Sequence, residues 1–206
     1  MIIISIKSSS SADIRRIELS DGSIFSYKVC YLPPDSPDAV EGIEINSAEE
    51  EGFRFASGCL RAEKAALQLI ARAEQNTFGL SRKLEKRGHS SACTHAVISQ
   101  LCETGLLDDR RYGRLWLESR ICRQASSPRR LFAALCARID RHDAEAVLKE
   151  TLNNDEAEQE LLKRYAQKLR RKFETGDEDP AARRTFRYAL KSEGFSSQAI
   201  QIFFEE

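Results

Sequence analysis

The sequence predicts a mainly α protein: an elongated curved array of three tandem three-helix repeats, with a small N-terminal β-hairpin segment ahead of it. Three observations carry this. The spacing of apolar residues changes near residue 60 from short intervals to a helical period. From there on the helices come in threes, with glycine, proline or an N-capping residue at the breaks. Finally, the middle helix of each triplet aligns with the next. Leu80 and Leu84 match Leu131 and Leu135 at a spacing of 51, and these match Phe186 and Leu190 at a spacing of 55.

Taken in order, Ile14 to Val29 places apolar residues on both sides of Asp21-Gly22, the pattern of a β-hairpin. Pro33, Pro34 and Pro37 then stop ladder and helix alike, and an acidic stretch ends at Glu49-Glu50-Glu51. Residues 1–58 are therefore expected to form the hairpin and an acidic linker, followed by repeats at 59–106, 107–153 and 154–206. In the first repeat helices are expected over 61–75 (Ala66, Leu69, Ile70, Ala73), 77–87 and 91–105 (Ala92, Val97, Leu101), with Gly88 and Gly105 where left-handed caps belong. The second repeat has Asp108 at a helix start over 109–124. Pro128 sits at the first position of a helix over 128–138, and a third helix spans 141–152. The last repeat follows Asn153-Asn154-Asp155, with a long helix to about 173. A break at 175–180, a helix over 180–192, Gly194 and a final helix capped by Ser196 or Ser197 complete it. The ends of two copies also agree, Lys86-Arg87-Gly88-His89-Ser90-Ser91 resembling Lys191-Ser192-Glu193-Gly194-Phe195-Ser196-Ser197.

Composition excludes several classes. The chain has 206 residues, 31% of them charged, and a mean hydropathy of −0.46, the profile of a soluble protein. No apolar run approaches the roughly 18 residues that span a bilayer, and the Met1–Ile6 run is too short for a signal segment, so a cytoplasmic protein with no membrane partner is expected. The six cysteines make no Cys-x-x-Cys pair and are expected to be buried small hydrophobes rather than bridges or metal ligands. No glycine-rich phosphate loop, Gly-x-Ser-x-Gly or histidine pair at ligand spacing occurs, so no catalytic residue, cofactor or metal is expected.

Thirty-two basic side chains balance thirty-two acidic ones, but by position the charge is segregated. Residues 1–58 are net −5, 59–78 net +1, 79–141 net +7 and 142–206 net −3. The basic middle is rich in arginine, whose planar fork suits phosphate and carboxylate. At 100° per residue Arg82 and Lys86 share the face opposite Leu80 and Leu84. On helix 109–124 the arc of Tyr112, Leu115 and Trp116 is expected to be core, with Arg111 and Arg114 at the surface and Leu117 and Ile121 as a second apolar edge. Asp108 and Asp109 fit a helix cap and first turn better than a catalytic pair, and Glu156, Glu158 and Glu160 an acidic helix start. Arg129 and Arg130 open a helix against its dipole, which hints at a role beyond local stability.

The run Leu107-Asp108-Asp109-Arg110-Arg111-Tyr112, with Trp116, Arg120, Ser127-Pro128, Leu131 and Leu135, resembles the central signature of the RecX family, regulators of the RecA recombinase. So does Arg72-Ala73-Glu74-Gln75-Asn76 followed by Leu80, Lys83, Leu84 and Arg87-Gly88. The resemblance covers about 60–150 and, more loosely, the third repeat. It implies a non-enzymatic modulator that binds RecA filaments on single-stranded DNA and limits filament growth, ATP hydrolysis, strand exchange and co-protease activity in recombination, repair and the SOS response. The expected partners are the RecA filament and single-stranded DNA, met directly or through RecA, and the expected state is a monomer. The expected contact face is Arg82, Lys83, Lys86, Arg87, Arg110, Arg111, Arg114, Arg120, Arg129 and Arg130. Two positions depart from the family: Gly79 stands where a Glu would complete a capping box with Asn76, and Ile139-Asp140 replaces the usual Gly-Ile. The alternatives are a direct DNA-binding regulator resembling helix-turn-helix proteins, which would bind duplex with a steep salt dependence, and a structural scaffold.

Overall fold

Hydrophobic periodicity and capping residues divide the chain into three strands and nine helices among the described residues, as seen in a computed structural model. It describes residues 1–8, 13–34, 36, 38–152, 155–173 and 180–205, without the side chains of 155 and 170–173. Of the expected breaks at 153–155 and 175–180, residues 153–154 and 175–179 lie outside the described residues, while Asp155 and Pro180 open helices. The strands are β1 (Ile3–Ser8), β2 (Ile14–Leu19) and β3 (Ile24–Lys28), and the helices α1 (Ser47–Ile70), α2 (Thr77–Lys86), α3 (Ser91–Glu103), α4 (Asp109–Arg123), α5 (Pro128–Cys136), α6 (Arg141–Leu152), α7 (Asp155–Phe173), α8 (Pro180–Ser192) and α9 (Ser197–Glu205). The fold is mainly helical, in three successive triplets. The chain forms two units, Met1–Leu107 and Asp108–Glu206.

The hairpin is present, with Ile17 opposite Phe25 and Arg15 opposite Tyr27. It has a third member that the sequence reading lacked, since β1 pairs antiparallel with β2. The isoleucine run that was too short for a signal segment is this strand. The pairing register shifts between Ile3 and Ser5, and past buried Ile3 and exposed Ile4 the strand shows no clean alternation of burial.

One face of the sheet buries Ile3, Ile17, Leu19, Phe25 and Tyr27, and that face lies on α1, where the Tyr27 and Phe53 rings meet at 5.1 Å. Lys28 adds an ion pair of 2.6 Å to Glu63, whose side chain is 8% exposed. The three strands are therefore fixed to the first helical triplet. The acidic linker is corrected by the same helix. Asn46 accepts hydrogen bonds from the backbone N–H groups of Ala48 and Glu49, and Glu49 accepts one from Asn46 N–H, closing a capping box. Glu49 and Glu50 thus form a first turn favoured by the helix dipole, and α1 starts well before the expected residue 61. It ends at Ile70, not 75, where the buried Gln75 side chain donates to the carbonyls of Leu69 and Ala73. Ala73 is accordingly outside the helix, and Ala92, expected in the core, is exposed on α3.

In the second unit, α4 turns its buried side to Gly113 and Leu117. The expected core arc is corrected here: Leu115 is half exposed, Tyr112 and Trp116 lie at the margin, and Leu117 with half-buried Ile121 is the inward edge. Gly113 sets this rotation, because it lets α4 approach α6 so closely that an added Cβ would sit 2.9 Å from Ile139 Cδ1 and 3.4 Å from Val147. Cysteine usage also differs from expectation. All six are free, but only Cys59 and Cys93 are buried. No helix among the described residues is long and apolar enough to cross a membrane.

A leucine at residue 113 overfills this contact. Gly113→Leu is expected to cost about 1–3 kcal/mol in a chemical-denaturation measurement of the whole protein, despite the better helix propensity of leucine.

Candidate nucleoprotein interface

The sequence-predicted face divides, in the structure, into cations held by internal partners and cations left outward. On α2, Leu80 and Leu84 are fully buried, so Arg82 and Lys86 stand on the exposed side, with Arg87 beyond the helix end, also exposed. The Arg82 guanidinium lies 5.7 Å from the centroid of Phe78, one turn earlier and 56% exposed. Lys83 has a structural task, donating at 2.6 Å to the Gln75 carboxamide that caps α1. At the start of α2 the Asn76 side chain makes no capping hydrogen bond to the helix's first turn. A Cβ at Gly79 would collide with the Asn76 carboxamide, which accounts for glycine where a Glu would close the box.

On α4 the arginines are largely committed to α6. Arg110 Nε donates to Asp143 at 2.7 Å, and Arg114 Nη1 to Glu150 at 3.5 Å. Both pairs are substantially exposed, so each adds little stability. Asp143 also holds the Arg110 guanidinium above its ordinary pKa, chiefly through that hydrogen bond. Arg111 is half-buried. Arg120 and Arg138 flank the half-buried Trp116 at 6.0 and 4.7 Å from its ring centroid, so the single tryptophan has packing and cation–π neighbours. Arg138 was not foreseen, and neither was Arg164 on α7. Its guanidinium donates to the Ile121 and Cys122 carbonyls and satisfies the C-terminal end of α4.

Arg129 and Arg130 are exposed at the start of α5. Their unfavourable position against the dipole has a local counterpart, the Glu193 carboxylate. Ser127 caps α5 by accepting from Arg130 N–H and donates its hydroxyl to Glu193, while Arg129 N–H donates to the Glu193 carbonyl at 3.0 Å. Burial, then Glu193, push the neighbouring Tyr165 hydroxyl above its ordinary pKa. Glu158 plays a similar part. It is buried and accepts from both the N–H and the hydroxyl of Ser196, the cap of α9, at 2.7 Å each. Within the acidic run at the start of α7, Glu158 has a tertiary role that an acidic helix start does not suggest.

Asp108 caps α4 by accepting from Arg111 N–H at 3.0 Å. That bond, ahead of the opposing effect of burial, holds its carboxyl below the usual carboxylate range. Its stabilisation is therefore complete above the unfolded-state pKa near 4 and lost as pH falls through the lower folded value. Asp108→Ala is expected to cost about 1 kcal/mol at pH 7, and the gap to wild type in thermal melts should close as pH drops below about 4.

No protein-family model matches the chain. Among curated proteins, it is similar to "Regulatory protein RecX" of Treponema pallidum strain Nichols, at 35% identity over 119 residues, 57% of this chain and 72% of that protein. It is also similar to "Regulatory protein RecX" of Halorhodospira halophila, at 34% over 140 residues, 66% of this chain and 82% of that protein. Among solved structures, one titled "Crystal structure of regulatory protein RecX" aligns with a TM-score of 0.70 and 19% identity, over 100% of this chain and 99% of that one. Another, of RecX from Lactobacillus salivarius, gives 0.58 and 19% over 73% of this chain and 96% of that one. At such identities the structural likeness speaks to the fold.

Proposed function

The chain belongs to the RecX family of regulatory proteins, and on that premise we propose that it is a cytoplasmic, monomeric, non-enzymatic regulator of the RecA recombinase. It binds RecA filaments on single-stranded DNA and limits their growth, with ATP hydrolysis, strand exchange and co-protease activity falling as a consequence. The observation that carries this reading is the similarity to proteins named regulatory RecX over 72% and 82% of their lengths.

The proposed contact face begins with the outward cations: Arg82, Lys86 and Arg87 in the first unit, Arg129 and Arg130 in the second. Their support is exposure with no ion-paired carboxylate among the described residues. A partner that is a repeating polyanion, whether DNA phosphate or an acidic protein surface, gains from cations whose charge is not already matched. Arg110 and Arg114 are second-rank members, because engaging a partner requires exchanging Asp143 and Glu150 for it. Lys83 and Arg120 are placed lower still, one supporting the Gln75 cap and the other the tryptophan.

The test is RecA ATPase on single-stranded DNA with this protein at substoichiometric ratios. Wild type should inhibit well below one copy per RecA protomer, and an absence of inhibition removes the reading. Arg82→Glu with Lys86→Glu should raise the concentration for half-inhibition by at least about tenfold with circular dichroism unchanged. Equal inhibition at moderate salt would take these two residues out of the interface.

A further inference from the structure

The net charge of −3 over residues 142–206 is an average that conceals α8. This helix carries Arg183, Arg184, Arg187 and Lys191 and no acidic residue. Tyr188 among them is 76% exposed, a large aromatic surface left in water. Its ring borders a cavity of about 590 Å³ between α8 and α9, with Arg187 and Lys191 at its edge and Ile200 within its lining. Arg187 is positioned by the Phe204 ring, 4.7 Å from its guanidinium carbon. The one carboxylate lining the cavity, Glu205, leaves the site cationic against two basic groups.

The repeat supplies a second observation. Tyr188 and Arg184 stand 106 residues after Arg82 and Phe78, in the register that aligns Leu190 with Leu84. Both middle helices thus present an exposed aromatic and an arginine one turn apart on the side away from the core, in opposite order. On α5 the same positions are Arg129 and Ala133, so the pairing is not a general property of middle helices.

Carboxylate recognition needs only the cations. An exposed π-face beside them matches the needs of a nucleobase next to its phosphates. We propose that the α8 face is a binding site for single-stranded nucleic acid, with a base stacked on Tyr188 over the cavity and neighbouring phosphates on Arg187 and Lys191. This deepens the filament reading, on which it rests for the presence of a single strand, while its binding chemistry requires no RecA.

The test uses the full chain carrying Phe78→Ala, so that the α2 aromatic does not mask the result, and fluorescently labelled 20-nucleotide oligothymidylate read by anisotropy. A strand of equal length and charge with abasic sites is the control. The Phe78→Ala protein should bind oligothymidylate more tightly than the abasic strand. Adding Tyr188→Ala should weaken oligothymidylate binding roughly 5- to 150-fold, the range expected for one stacked base, and abolish the preference. Tyr188→Trp should restore it. Arg187→Gln with Lys191→Gln should weaken both strands and flatten the salt dependence. Equal binding of the two strands, or no effect of Tyr188→Ala, overturns the site. So does weakened RecA inhibition by Tyr188→Ala in a protein that binds neither strand, which would assign the face to an acidic protein surface. Base-dependent binding without any effect on RecA would support this site while removing the filament reading.

Discussion

A helix of 9 to 13 residues is marginal in water on its own, so each middle helix depends on two side chains one turn apart. In α2 and α5 these are fully buried leucines, and in α8 a half-buried Phe186 precedes the buried Leu190. Burying each leucine is worth about 1.5–3 kcal/mol, and the turn that follows keeps the pair covered. In the first and third repeats a glycine at φ +85 and +90 lets the chain reverse, and the N–H of His89 or Phe195 returns to the carbonyl of Leu84 or Leu190. The corresponding turn of the second repeat has no glycine and is one residue shorter. Ile139 N–H reaches the Leu135 carbonyl at 3.0 Å and Asp140 opens the next helix. The departure at Ile139-Asp140 is therefore a deletion in the turn that preserves its closing bond.

In the second unit one of these turns also carries a contact between triplets, and a similar contact holds the third triplet together. The α8–α9 turn supplies Glu193 to the start of α5, and α7 supplies Glu158 to the start of α9. Carboxylates withdrawn from water, Glu158 buried and Glu193 half-buried, stabilise only while paired, and each is paired with a serine that is itself a helix cap. Capping and packing are thus one network. A change at Ser127 acts on a helix end and on the contact between triplets together, and a change at Ser196 on a helix end and on packing within the third triplet.

The helices from α2 onward were legible because their signals are local: Asp108, Ser127-Pro128, Gly88 and Gly194 mark boundaries within a residue or two of where they fall. What escaped the sequence depended on distant partners. Asn46 and Glu49 form a capping box, but behind three prolines their acidity reads as a linker, and only contact with the sheet shows α1 starting there. Leu115 and Leu117 are equally apolar, and the choice between them as the inward residue is made by Gly113, through the close approach of Ile139 and Val147. Of the ten cations proposed as a face, exposure was readable from helical angles. Engagement was not, since Asp143 and Glu150 lie more than thirty residues from Arg110 and Arg114.

Charge counted along a chain and charge offered to a partner are different quantities. The basic middle loses part of its surplus to α6, whereas α8, inside an acidic stretch, has no acidic residue of its own. An exposed pair such as Arg110–Asp143 adds little stability, so a dense polyanion can draw the arginine away at small cost, yet it must then tolerate the carboxylate left behind. A cation without such a neighbour carries no like-signed remainder. Affinity for a polyanion should therefore follow unmatched exposed cations rather than net charge by window, and by that measure the third triplet is as much a binding element as the first.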